Sequence, residues 1–345
     1  MIRHFSLFAL LAGWTTLSFC STVARADELL RIGIIGCDTS HVPVFTKVFN
    51  NAKAESEFAG MRVVAAYPGG SDDIPDSIGR VAGYSDELRG LGVEIVDSIP
   101  ALLQRVDVVL VESIDGRKHL EQIRPVIEAG KPLFIDKPVA GTLADAIEIF
   151  RLAAEKQVPC FSSSSLRFSP GIAGMVGDPK VGDILGVDAF SPCSLEPHHP
   201  DLFWYGVHGV EILFTLMGPG CQSVSRTHTN DTDEVVGVWK DGRVGTFRGM
   251  RNGPHSYGAM VYGSKAILPS GGFGGYEPLV VEIAKFFRTR KPPVSAETTL
   301  EMFAFMEAAD ESKRQGGKPI ALAEVVAAAK QATAHAQSAT GATTK

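Results

Sequence analysis

Three groups of residues have types and spacings that could do chemistry. The first is Asp136, Lys137 and Pro138, which follow the apolar run at 132–135. A buried strand of that kind ends where ligands bind in open α/β sheets. An ammonium held there could polarise a substrate hydroxyl or carbonyl and ease its deprotonation. A plain surface salt bridge between Asp136 and Lys137 is the alternative. The second group is Tyr205, His208 and Glu211, spaced i, i+3 and i+6 in an otherwise apolar helical segment, 202–217. They share one face. An imidazole can take or return a proton near neutral pH, and Tyr205 could hold the substrate from the same face. A satisfied core histidine is the other reading of His208. Upstream, Glu196, His198, His199 and Asp201 add polar groups that could join His208 around a metal. No H-x-x-x-H spacing supports that, so no metal site is expected.

The third group is Gly36, Asp38, Thr39, Ser40 and His41, which follow the apolar run at 29–35. A dinucleotide fingerprint, G-x-G-x-x-G, belongs at this place; its glycines make the turn and admit the pyrophosphate. Only the first glycine, Gly36, is kept. Asp38 occupies the second position and His41 the third. Free N–H groups at the helix start still suit an anion, so Gly36 to His41 are candidate phosphate contacts. Asp38, Thr39 and Ser40 could instead cap the helix. Beyond the second strand, Asp72 could reach a ribose or serve as a turn residue. Asp136 and Pro138 complete the candidate cofactor contacts.

The elements that must position these residues are legible in the hydrophobic pattern. Continuous apolar strands at 29–36, 61–67, 93–97, 106–113, 132–136 and 158–163 alternate with helical segments. That pattern predicts a doubly wound parallel sheet covered on both faces. After about Arg167 the texture changes. A helix at 202–217 precedes alternating runs at 222–229, 234–240, 244–250 and 259–262, which predict an antiparallel sheet, and two further helices. The fold class is α/β: an N-terminal Rossmann domain at 27–160 and a C-terminal α+β domain with an open antiparallel sheet at 161–331. A flexible tail is expected at 332–345. The ligand cleft should lie between the domains.

With these residues in hand, the chain resembles the glucose-fructose oxidoreductase/inositol dehydrogenase/MocA family. The likeness rests on Gly33 to Gly36, on His119 with Ala129-Gly130-Lys131 leading to Asp136-Lys137-Pro138, and on the run from Gly206 through His208 to Glu211. The resemblance implies NAD or NADP as cofactor and a sugar, cyclitol or sugar derivative as substrate. It maps the family's catalytic lysine to Lys137 and its catalytic histidine to His208. The chain departs from the family pattern at Asp136 (for Glu), at Trp204 (for Asp) and at the two missing glycines. Those departures leave a second reading open: a non-redox descendant, either a carbohydrate lyase, hydrolase or epimerase, or a sugar-binding protein.

Composition narrows the setting. The chain has 345 residues, 45% apolar and 21% charged, with a formal net charge of -6. Neither the charge nor any Lys/Arg block suits nucleic acid. Residues 1–26 read as a signal peptide, with an apolar run too short to span a bilayer and Ala24-Arg25-Ala26 as the cleavage signal. The mature protein is expected in the periplasm or outside the cell, off the membrane, and able to self-associate through its C-terminal sheet. Cys37, Cys160, Cys193 and Cys221 follow the leader without C-x-x-C spacing. Burial as small apolar residues is expected for Cys37 and Cys160, and pairing of Cys193 with Cys221 is left open.

Overall fold

The structure, a computed structural model, describes residue 1 and residues 29–51 and 57–342. The expected leader thus lies, but for Met1, outside the described residues. The first half alternates strand and helix: β1 (Leu30–Ile35), α1 (His41–Phe49), β2 (Met61–Tyr67), α2 (Pro75–Gly90), β3 (Glu94–Ile95), α3 (Ile99–Leu103), β4 (Val108–Val111), α4 (Gly116–Glu128), β5 (Leu133–Ile135), α5 (Leu143–Glu155) and β6 (Cys160–Ser162). The six strands form one parallel sheet in the order β3-β2-β1-β4-β5-β6. The order reverses between β1 and β4, which opens a crevice at their carboxyl ends. Val108–Val111 is buried throughout, as a strand covered on both faces must be.

A 3₁₀ turn (Ser165–Phe168) and α6 (Pro170–Ala173) lead into the second half. It comprises β7 (Ile184–Pro192), a π-helical turn (Leu202–Gly206) running into α7 (Val207–Met217), β8 (Cys221–His228), β9 (Thr232–Trp239), β10 (Val244–Met250), β11 (Gly258–Gly263), β12 (Ile267–Pro269), α8 (Glu277–Thr289), α9 (Ala296–Arg314), β13 (Ile320–Ala321) and α10 (Leu322–Ala342). Seven strands make a second sheet in the order β12-β11-β7-β10-β9-β8-β13. The sequence predicts an antiparallel sheet; the β7–β10 pair is parallel. β7 reaches β10 only after the long passage through α7, and a crossover of that length permits parallel pairing. α7 packs against β7 and β10, and α9 against β8.

Two further features differ from the sequence reading. α8, assigned to the second domain, returns to the first: Leu279, Val280, Ile283, Phe286 and Phe287 are buried in one cluster with Ile32, Ile34 and Phe134. A doubly wound sheet needs both faces covered, and α8 with α1 supplies one of them. α10 also continues to Ala342, through most of the stretch expected to be a flexible tail. The Phe286 ring meets Phe161 edge-on at 5.0 Å. Truncation there should leave a hole in the N-terminal core. Phe286→Ala is expected to cost about 3–5 kcal/mol in urea unfolding; a loss under about 1 kcal/mol would show that α8 is not part of that core.

Candidate active site

One cavity of about 330 Å³ lies where the two sheets' loops meet, and Lys137, Tyr205 and His208 all line it. Thr39, Ser40 and His41 form its wall at the start of α1; Asp76, Arg80 and Tyr84 contribute from α2; Trp204, Tyr257, Phe273 and Tyr276 close it from the C-terminal half.

Lys137 follows β5 by two residues, so the carboxyl end of that strand carries it to the cavity. The Lys137–Pro138 peptide bond is cis. Pro138 is buried and does not line the cavity. Opposite, the π-helical turn before α7 brings the Tyr205 and His208 rings edge to face at 5.1 Å. Such turns recur at functional sites because they shift side chains off the regular helical spacing. His208 Nδ1 is 2.8 Å from Ser164 Oγ, and the other ring nitrogen makes no hydrogen bond among the described residues. Burial, reinforced by the charges of Lys137 and His41, holds the His208 imidazole well below its usual pKa. It is therefore neutral and able to accept a proton. The Tyr205 and Tyr257 hydroxyls are 3.2 Å apart. Glu211, the third residue of that helical face, turns away from the cavity. It accepts from Arg167 and, at 3.2 Å, from the Ser164 N–H, so it holds the segment that positions His208.

Below the cavity wall three residues converge. His41 Nδ1 is 2.7 Å from Asp136 Oδ2 and 3.8 Å from Glu112 Oε2. Asp136 also accepts from the Lys137 N–H at 2.8 Å. Burial alone would raise the Asp136 pKa, but His41 and Lys137 more than offset it and keep the carboxylate below its usual range. Glu112 is raised well above its usual value, by burial first and by the Asp136 charge second. Glu112 is a residue that the sequence reading missed. Its signal was slight: an acid closing the apolar run of β4. Tyr257 and Arg80 also escaped, because each comes from a loop or helix that only the fold brings to the cavity, and so did Ser164, which the fold brings to His208.

The expected cofactor contacts divide into two sets. Thr39, Ser40 and His41 reach the cavity; the Thr39 hydroxyl is buried without a partner and Ser40 is exposed. Gly36, Asp38 and Asp72 do not line it. Gly36 has φ +92°, and a Cβ there would lie 2.3 Å from Ser113 Oγ, so the tight turn is kept. Asp38 is buried and neither caps α1 nor faces the crevice. Its carboxylate accepts from Ser77 Oγ at 2.6 Å and from the Ile114 N–H at 2.9 Å. Nearby, Ser71 donates to Asp115 at 2.6 Å, and Arg117 bridges Asp115 and Asp73. These bonds tie the β2 side to the β4 side across the end of β1 and close the crevice over Gly36 and Asp38. Asp72 stays exposed on that bridging loop. A phosphate laid over Gly36 and Asp38 does not fit; Thr39, Ser40 and His41 stay open to the cavity, where Arg80, paired with Asp76 at 2.9 Å, lies on the same wall.

The alternative metal set around His208 is not assembled. His198 and His199 bind Glu196, both at 2.7 Å, while Asp201 goes to Arg226 and Lys313. The four cysteines among the described residues are buried free thiols, so Cys193 and Cys221 are unpaired.

Residues 30–164 match a family described as an oxidoreductase family with an NAD-binding Rossmann fold. Solved structures share the whole architecture. Scyllo-inositol dehydrogenase from Lactobacillus casei, with NAD(H) and scyllo-inositol bound, superposes with a TM-score of 0.68 at 15% identity, over 86% of this chain and 100% of that one. GenD2 from gentamicin A biosynthesis, in complex with NAD, gives 0.69 at 14% identity over 91% and 99%. An oxidoreductase from Agrobacterium radiobacter, in complex with NAD+, L-tartaric acid and magnesium, gives 0.67 at 14% identity over 86% and 99%.

The depressed His208 pKa has a measurable consequence. A histidine whose native pKa lies below its unfolded value of about 6.5 protonates first in the unfolded chain. Its contribution is intact above that pH and is lost as pH falls below it. The stability of the wild type relative to His208→Gln is expected to fall by up to about 1.4 kcal/mol per pH unit between about pH 6 and 5. Paired urea titrations giving a pH-independent difference would count against a buried neutral His208.

Proposed function

We propose that the chain, whose residues 30–164 match the Gfo/Idh/MocA oxidoreductase family with its NAD-binding Rossmann fold, oxidises or reduces a sugar, cyclitol or sugar derivative with NAD or NADP. The observation that carries this reading is the meeting of Lys137 and His208, from different layers of the fold, in one cavity. The lining suits a polyol: Ser40, Ser165, Tyr205 and Tyr257 offer hydroxyls, and Trp204 and Phe273 offer apolar faces.

Thr39, Ser40, His41 and Arg80 would hold the anionic part of the dinucleotide, and the helix start favours a negative charge there. When bound, the nicotinamide supplies or accepts the hydride. The Lys137 ammonium sits by the reacting hydroxyl and lowers the cost of removing its proton. His208 takes that proton in oxidation and returns it in reduction. As a base it uses the tautomer in which Nδ1–H donates to Ser164 Oγ, leaving Nε2 free. Tyr205 holds a second substrate hydroxyl.

The closure over Gly36 and Asp38 favours a second reading, a non-redox lyase, hydrolase, epimerase or sugar-binding protein working through the same cavity. Calorimetric titration with NAD+ and NADP+ separates the two. Binding of either supports the oxidoreductase; no binding of either at millimolar concentration moves the assignment to the second reading. We further propose export to the periplasm or beyond, from the leader at 1–26, and self-association through the outer face of the second sheet. Val238, Val244, Tyr262 and Ile267 form a partly exposed apolar row there across β9, β10, β11 and β12, with Gly186 of β7 in register between Val244 and Tyr262.

Lys137→Ala and His208→Ala are each expected to lose about 10²–10⁴-fold in turnover while folding normally. Near-wild-type rates in both would refute the assigned roles. Mass analysis of exported material should give a chain starting at Asp27; one starting at Met1 would contradict the cleavage reading.

A further inference from the structure

Three strands of the parallel sheet end around one buried point. The turn after β1 delivers His41, β4 delivers Glu112, and β5 delivers Asp136. Their nearest donor atoms all lie within 4.8 Å of one another. Asp136 and Glu112 are fully buried, and neither oxygen of Glu112 has a hydrogen-bond partner among the described residues. Two carboxylates confined together repel, and a buried carboxylate without a partner is among the costliest groups to enclose. The Lys137 ammonium forms no ion pair with either among the described residues. Asp136 is matched by its bond to His41, but Glu112 has no hydrogen bond and only the same ring at 3.8 Å, so it is left without a close counter-charge of its own.

We propose that His41, Glu112 and Asp136 hold a divalent transition-metal ion of the zinc class. One imidazole and two carboxylates are a donor set such ions accept. Bond lengths of about 2.0–2.2 Å place the ligand atoms of a tetrahedral ion about 3.3–3.6 Å apart. The His41–Asp136 and His41–Glu112 separations of 2.7 and 3.8 Å bracket that value, so small side-chain rotations seat the ion. Three protein ligands leave a coordination position open, just below the cavity wall that His41 forms, with Glu112 and Asp136 behind it. An ion with three protein ligands and one open position is the pattern of a reactive site, not of a closed structural one. It would stand beside Lys137, where it can ligate a substrate oxygen.

The test needs no dinucleotide and no sugar, so its outcome is independent of the oxidoreductase reading. The full chain is dialysed against a chelator, titrated with Zn²⁺ by calorimetry, and assayed for metal content and thermal midpoint. One ion per chain is expected, with a raised midpoint on saturation. Glu112→Gln and His41→Asn should each weaken binding by roughly 10- to 100-fold or more and abolish the midpoint shift. Glu196→Gln, in the separate cluster with His198 and His199, should leave the affinity unchanged. With Co²⁺ in place of Zn²⁺, the wild type should show the visible absorption of a low-symmetry nitrogen–oxygen site. That readout stands even where a variant fails to fold. The proposal is overturned by a wild type that binds neither ion. It is equally overturned by folded Glu112→Gln and His41→Asn variants that bind as tightly as the wild type, or by loss of binding in Glu196→Gln.

Discussion

The buried hydrogen bond between His41 and Asp136 is the contact on which the site depends. It joins the turn after β1 to the end of β5, two strands separated in the sheet by β4. A parallel sheet aligns its carboxyl ends along one edge, so residues far apart in sequence arrive there together. His41 occupies the place where the fingerprint wants a glycine. Its ring packs against Phe45 and Tyr276 and turns its Nδ1 inward. Asp136 then fixes the Lys137 backbone through its other oxygen. One bond therefore determines the cavity wall at α1 and the root of the lysine at β5.

A second set of bonds determines how the two halves face each other. Ser164 lies just past β6, yet its hydroxyl binds His208 and its N–H binds Glu211, both on α7. Arg167 adds an ion pair to Glu211 with both partners largely buried. Lower on the interface, His199 comes within 3.1 Å of Asp115 at the start of α4. The Asp115 carboxyl is held far below its usual range: burial opposes this, but His199, Arg117 and Ser71 outweigh it. α8 returns to the first sheet and ties the halves again. The polar faces of the cavity are thus braced from both sides.

Much of this was legible in the sequence because the decisive signals are local. The parallel sheet announces itself in runs such as 106–111, and Lys137 and His208 stand in short motifs whose neighbours share one element. What escaped depends on distant partners. Glu112 looks like any acid at a strand end until the fold strips it of water and partners. Asp38 could have been a cap or a phosphate contact; only the arrival of Ser77 and Ile114 decides that it is neither. β7, with interior glycine, alanine and serine, has a weak strand pattern, and its place in the sheet comes from β10 and β11 on either side. The direction of α8 was also hidden, since its apolar face says that it packs but not against what.

The four thiols give the fold an unplanned reporter. Burial pushes Cys37, Cys160, Cys193 and Cys221 each up to about 12. Only the thiolate attacks an electrophile or an oxidant, so these four are chemically silent in the native fold near neutral pH. On unfolding, these four become ordinary thiols, spread from just past β1 to the start of β8. Alkylation therefore counts openings of the structure, domain by domain. Cys37 and Cys160 record the parallel sheet loosening, and Cys193 and Cys221 record its neighbour.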